Sequence, residues 1–417
     1  MFSEYKGIPR EARLLIYISF IPGIAIGFIY TDLSFFLPNV QGLAPTLAGV
    51  VGSVMGLTLV AESIPFGILA DRYGRRKMLI LGNVCASLSL MGFALTTNFV
   101  LYLLVAFLEG TGEAAYAVSV SALIADKAGD QKRTPAFSLF AFFGWITGAL
   151  GGFVISSIFL LQGVGLDTQQ SHVALYVAVG LLNLSITPLM FKISESSTMV
   201  GRKEILPRKS GGVLVKYIAY SVAIALGAGL FVPLIGYWFS KAYGVSDGVY
   251  GPVLGVTNLL TAFVVFMSPR LARKFGLVKA TVMTQASSMI FMVAIPSSPT
   301  FSVAASLYLV RVFLMNLSNP LTQSLIMGLV SPDERGMASG ITASLWRLPN
   351  SLSQIGGYYL TGIGLLALPF YIATVLYAIG ISIFWFVFKD ARLPEESAER
   401  AQPPTQSSSL AGPETER

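Results

Sequence analysis

Charge is scarce in this sequence. Asp, Glu, Lys and Arg together make up 12% of its 417 residues, about half of what a soluble domain uses to cover its surface. A chain that is 54% hydrophobic, with a mean hydropathy of +0.70, must therefore face something other than water. The apolar residues are blocked into long segments, which points to lipid rather than to an unusually large core. The one cysteine, Cys85, excludes an internal disulfide and a thiolate metal cluster. The one histidine, His172, leaves histidine-ligated metal chemistry and a Ser-His-Asp triad poorly supplied. No metal, no cofactor and no catalytic residue is expected, and the chain does not read as an enzyme. His172 falls in a polar connection after the fifth apolar run, where a solvated loop residue is expected. No nucleotide-binding P-loop is present to couple ATP directly.

What the sequence has in abundance is runs of about 20 apolar residues or more, the length that spans a bilayer. They cover 13–40, 45–70, 77–96, 99–125, 136–161, 172–191, 213–240, 248–268, 277–296, 300–330, 336–362 and 366–388. In lipid every backbone polar group must be satisfied internally, so each run is expected as a helix. The fold class is an all-α membrane protein of twelve spans in two six-helix bundles. The segment before the first run is short and polar and that run is long, so no cleaved signal is expected.

The net charge of +7 raises the question of nucleic acid, but its distribution answers it. All but three of the Lys and Arg residues lie in the N-terminus, the C-terminus and the connections after even-numbered runs. Of the three, Lys241 lies in an opposite connection, and Arg311 and Arg347 lie inside runs. Such a bias places both termini in the cytoplasm of a multi-pass protein of the cell membrane. It accounts for the basic charge without a nucleic-acid partner.

The expected organisation is an N-terminal bundle over 1–191, a cytoplasmic linker over 192–212 rich in Lys, Arg, Ser and Gly, a C-terminal bundle over 213–388, and a disordered tail over 389–417 rich in Pro, Ser and Glu. The halves echo each other. The second run ends in Gly67-Ile68-Leu69-Ala70-Asp71-Arg72-Tyr73-Gly74-Arg75-Arg76-Lys77, and the eighth in Pro269-Arg270-Leu271-Ala272-Arg273-Lys274-Phe275-Gly276, a degraded copy. Six-helix repeats are a transporter signature, with substrate bound at their interface.

The stretch Gly67 to Leu79 resembles the signature loop of the major facilitator superfamily, Gly-x-Leu-Ala-Asp-Arg-x-Gly-Arg-Arg/Lys-x-x-Leu, at every key position and in the loop where that family carries it. The resemblance covers roughly 13–388. It implies that Asp71, Arg75 and the acid at the end of the fourth run, Asp126, form a charge cluster that locks the halves together on the cytoplasmic side. Gly67, Arg72, Gly74 and Arg76 belong to the same gate. Ser331-Pro332-Asp333-Glu334 reads as a capping box with Glu334 at N3, so the positive end of the eleventh helix is expected where Asp71 can dock. Gly144-x-x-x-Gly148-Ala149-x-Gly151-Gly152 resembles the drug–proton antiporter motif, with Ala149 where that motif has Pro. Small-residue helix packing is the competing reading. The family's Arg in the fourth helix is here Ala106, and Arg311 occupies a comparable place in the tenth.

Asp32, Glu62, Glu109, Glu113, Arg311 and Arg347 lie inside apolar runs, each at a cost of about 2.5–3.5 kcal/mol at a helix centre. They are expected to face an interior cavity. Glu109 and Glu113, four apart, share a helix face, so one pKa should rise, and at least one of Asp32, Glu109 and Glu113 is expected to bind and release the coupling proton. Alternatively, acids pair with Arg311 or Arg347 to hold the halves together. Tyr30, Phe35, Tyr116, Trp145, Tyr237, Trp238, Trp346 and Tyr358 could line the cavity, with Tyr30 beside Asp32 and Trp346 beside Arg347 the foremost. The reading is a monomeric secondary transporter in a lipid bilayer, moving a small-molecule substrate by alternating access with protons as coupling ion, in the direction of efflux. A proton symporter for an organic anion is the alternative within transport, with Arg311 and Arg347 as counter-charges. A transport-inactive receptor or scaffold is the alternative of another class.

Overall fold

The structure, a computed structural model, describes residues 7–195, 210–331 and 334–391. The expected linker, 192–212, and tail, 389–417, lie largely outside the described residues. The described residues are helical, without strands. Ten of the described helices are long and apolar enough to cross a membrane, an eleventh if the bent α8 counts as one span, and with α11 they make the twelve of two pseudo-symmetric six-helix bundles: α1 Arg10–Val40, α2 Pro45–Tyr73, α3 Arg75–Leu95, α4 Phe99–Gly129, α5 Gln131–Gly163, α6 Thr168–Met190, α7 Gly211–Gly229, α8 Asp247–Phe275, α9 Leu277–Ser297, α10 Phe301–Leu329, α11 Arg335–Gly362 and α12 Leu368–Phe388. Leu95, Leu104, Phe107 and Phe386 are exposed on the outside of the bundles, as lipid-facing residues are.

Two spans depart from simple rods. The seventh run, read as one segment over 213–240, ends as helix at Gly229 and resumes as a short helix, Ile235–Tyr243. Pro233 stands in the break, where its fixed φ and missing N–H end helical pairing. α8 bends by 54° between Val264 and Met267. Pro269 lies one turn further on, and its ring crowds the carbonyl four residues back. α11 is the least apolar span, because it carries Arg347, Asn350, Ser351 and Gln354.

The repeat read in the sequence has a backbone counterpart. Gly74 ends α2 with φ 108°, and Gly276 ends α8 with φ 77°, the left-handed region that glycine enters at little cost. Each donates its N–H to the carbonyl four residues earlier, Gly74 to Ala70 at 3.0 Å and Gly276 to Ala272 at 2.8 Å. Gly129, with φ 67°, makes the turn between α4 and α5.

Small residues set how closely the helices approach. A Cβ on Gly27 of α1 would stand 2.6 Å from the Gly148 backbone of α5, and one on Gly152 would stand 2.8 Å from the Gly255 backbone of α8. The Gly148-Ala149-x-Gly151-Gly152 stretch is thus helix packing on two sides. Across the halves, Ser53 of α2 donates to the Ser351 carbonyl of α11 at 2.6 Å, and Ser156 of α5 donates to the Gly248 carbonyl of α8 at 2.9 Å. These contacts lie toward the face opposite the chain ends. The halves are therefore closed at that face.

Candidate functional site

Between the halves lies a cavity of about 890 Å³. Its walls run from Ser19, near the start of α1, and Gln323, near the end of α10, to Tyr30 and Arg347 at mid-depth. The cavity therefore opens toward the face where α1 begins and α12 ends. Tyr30, Tyr116, Trp145 and Trp346 line it, whereas Phe35, Tyr237, Trp238 and Tyr358 are buried away from it.

Tyr30 and Arg347 on the cavity wall, and Glu113 behind them, form one polar unit, so Glu113 does not line the main cavity as expected. The Tyr30 hydroxyl donates to Glu113 Oε2 at 2.5 Å. Arg347 Nη2 lies 3.1 Å from Glu113 Oε1, and Arg347 Nη1 donates to the Tyr30 hydroxyl at 3.4 Å. The unit joins α1 and α4 of one half to α11 of the other. Glu109, one turn before Glu113, is buried and accepts a bond from Ser89. It does not reach the main cavity, but it shares a small void with Glu113, Asn83 and Asn183.

Arg311 lines the cavity from α10 and is itself buried. Its Nη2 donates to the Tyr377 hydroxyl at 2.6 Å, and its guanidinium sits 4.8 Å from the Phe231 ring centre and 5.5 Å from that of Tyr377. Among the described residues no carboxylate pairs with it. The expected pairing of an acid with Arg347 is present, and one with Arg311 is not. Glu62 is half-buried, lies off the cavity, and leaves Oε2 without a partner.

Asp32 does not face the cavity as expected. It is fully buried at the closed end, beside the Tyr176 hydroxyl, with neither carboxylate oxygen in a hydrogen bond of good geometry. Its neighbours there are His172 and Asp247. His172 is not a solvated loop residue: it is 0% exposed, stacked by Phe35 and Phe36 and 2.9 Å from Asp247 through Nε2. The apolar run begins at 172, but α6 begins at Thr168, because Asp167 and Gln170 form a capping box. That Asp-x-x-Gln pattern was the available sign that His172 is helical. Asp247, an acid in an otherwise nearly uncharged set of connections, was the other.

At the open end, Arg75 Nη2 and Nε donate to Asp71 Oδ1 at 2.8 and 3.1 Å, and Nη1 to Asp126. All three belong to the N-terminal half, so in this conformation the cluster ties α2, α3 and α4 together rather than the two halves. Gly67 faces Val118 of α4 with room for a Cβ at ordinary contact distance, 3.7 Å, and Arg72 lies over the Tyr73 ring. Glu195, which the sequence did not mark, accepts from the Arg76 backbone N–H at 3.0 Å and occupies the space beside Gly74. The expected capping box at Glu334 is not formed as read: Glu334 precedes α11 as its N-cap, and its Oε2 accepts from the Ser210 N–H at 2.9 Å. Pro332 and Asp333 of that motif lie outside the described residues.

Known proteins repeat this architecture. Residues 14–354 and 217–413 match the family model of the Major Facilitator Superfamily. An uncharacterized membrane protein of Saccharomyces cerevisiae is 24% identical, over 79% of this chain and 86% of its own length. Multidrug resistance protein 1 of Bacillus subtilis is 24% identical, over 83% of this chain and 88% of its own. The crystal structure of the nucleoside transporter NupG superimposes with a TM-score of 0.74, at 15% identity, over 91% of this chain and 99% of that one. Signature loop, doubled six-helix bundle, cavity between the halves and family model agree, and the chain belongs to the major facilitator superfamily.

Proposed function

We propose that this chain, a membrane transporter by family, works by alternating access and couples the efflux of small organic compounds to protons. The observation that carries the reading is the Tyr30–Glu113–Arg347 unit. It is an ion pair between the two halves, with Arg347 and Tyr30 in the wall of the cavity where a substrate would sit and Glu113 directly behind them. A proton taken up by Glu113 removes the counter-charge of Arg347 and weakens the bond between the halves. An amphipathic substrate among Tyr30, Trp145 and Trp346 competes for the same groups. Protonation, substrate binding and the opening of the cavity are then linked. The halves that move are 1–191 and 213–388, and the chain acts as a monomer.

A second reading, symport of an organic anion, is favoured by Arg311, a cavity cation without a carboxylate partner. The test for both is reconstitution in liposomes with an imposed pH gradient and a panel of organic cations, organic anions and sugars, read by proton flux. Proton flux driven by organic cations supports efflux by antiport. Flux with anions alone that is lost in Arg311→Gln supports the second reading. No proton flux with any compound overturns proton coupling.

The same proposal places the chain in the cell membrane with both termini in the cytoplasm, where the positive charge gathers. With Cys85 replaced, single cysteines at Lys192 and Ser298 should then react with an impermeant reagent from opposite sides of the membrane. Reaction of both from one side overturns the topology.

A further inference from the structure

We propose that Asp32, His172 and Asp247 form a binding site for one divalent transition-metal ion, of the ligand preference of Zn²⁺, that clamps α1, α6 and α8 at the closed end. Each residue offers a ligand atom, and these atoms lie within 4.8 Å of one another. All three side chains are buried, at 0%, 0% and 2% exposure.

The hydrogen bonding shows what is missing between them. His172 Nδ1 lies 2.7 Å from the Thr168 carbonyl oxygen. A carbonyl only accepts, so Nδ1 carries the hydrogen. In the neutral imidazole Nε2 then presents a lone pair, and it points at Asp247 Oδ2, 2.9 Å away. Two lone pairs at that distance repel unless a positive charge joins them, either a proton on Nε2 that is donated to Asp247 or a metal ion. Both Asp32 oxygens are buried without a hydrogen bond of good geometry, beside the Tyr176 hydroxyl and the Asp247 carboxylate. Buried polar atoms placed in this way are satisfied by a shared proton, a water or an ion, and three ligating groups that converge from three helices suit an ion. Two carboxylates and a neutral imidazole carry a net charge of −2, which one divalent ion neutralises while accepting all three donors.

The donor set of nitrogen and oxygen suits Zn²⁺, Mn²⁺ or Co²⁺ rather than a soft thiophilic ion. The bond from Nδ1 to a backbone carbonyl is the arrangement that orients a ligating histidine and fixes its tautomer. Phe35 and Phe36 cover the imidazole. The other titratable groups facing the cluster are the buried hydroxyls of Tyr176, beside Asp32, and of Tyr250, beside Ser34. Because the donors come from both halves, an ion held here favours the conformation closed at this face and open at the other. Spacing in the sequence could not show the site, since its donors come from three distant helices.

The purified full-length chain, stripped with a chelator and dialysed against ZnCl₂ and, separately, MnCl₂ near neutral pH, tests this by metal analysis and thermal unfolding. The expected result is one ion per chain and a higher melting temperature with metal. Asp32→Asn, His172→Gln and Asp247→Asn should each weaken binding by ~100-fold or more, since even the loss of a group that only supports a ligand costs about 10–100-fold. They should also abolish the metal-dependent rise in melting temperature. Less than one ion per wild-type chain at saturating metal overturns the proposal, as does binding that all three variants retain. Wild-type stoichiometry decides by itself if a variant fails to fold. No substrate or pH gradient enters the measurement, so its outcome is independent of the transport reading.

Discussion

Glu113→Gln should abolish accumulation driven by a pH gradient while leaving downhill exchange measurable. The glutamine keeps the shape of the side chain and still accepts from the Tyr30 hydroxyl, the 2.5 Å bond of the wild type. It cannot take or release a proton, and it offers Arg347 no charge. The side chain of Glu113 is 12% exposed and that of Arg347 is 41% exposed, so the pair sits at the edge of water rather than deep in the protein. Its contribution to stability is therefore modest, and the loss should appear in coupling rather than in folding. Tyr30→Phe removes two bonds, one to Glu113 and one from Arg347, and leaves the ion pair, so gradient-driven accumulation should be reduced but not lost. Glu109→Gln gives a contrast: Glu109 is bonded to Ser89 within its own half, and its loss should leave Arg347 paired. Accumulation in proteoliposomes, with and without the gradient, reads all three. If Glu113→Gln accumulates substrate with the original pH dependence, this ion pair is not the coupling element.

Arg75→Met should be the most damaging substitution at the open end, for stability and for transport together. One guanidinium, 8% exposed, serves two carboxylates, Asp71 and Asp126, through three bonds. Removing it leaves two like charges on neighbouring helices. Breaking a buried pair costs about 3–5 kcal/mol. Here the carboxylates are 41% and 27% exposed, and water screens them, so the expected loss is about 2 kcal/mol. Arg75→Lys keeps the charge but not the fork geometry and should fall between. Asp71→Asn should leave the fold largely intact, because Asp71 is the more exposed partner, yet it should reduce transport. In the opposite conformation Asp71 is expected to meet the positive end of α11, a contact the open cavity does not allow here. Thermal unfolding in detergent and uptake in liposomes separate the two effects. Unchanged uptake in Asp71→Asn would make the loop only an anchor for topology.

The sequence by itself determined the membrane, the twelve spans, the doubled plan and the signature loop. Those properties follow from hydrophobic length, charge placement and glycine turns, which act within one helix or one loop and need no distant partner. The turns at Gly74 and Gly276 were legible for that reason: residues four apart make their bonds. Only the tertiary structure decided what the charges inside the membrane do. Asp32, Glu109 and Glu113 look alike as acids in apolar runs, but one lies at the closed end, one within its own half, and one across the interface from Arg347. Glu113 and Arg347 belong to opposite halves, and His172 meets Asp247 through the packing of α6 on α8. A buried charge must be paired or neutralised, but which partner satisfies it depends on how helices distant in the chain are brought together. Helical period and hydropathy do not carry that information.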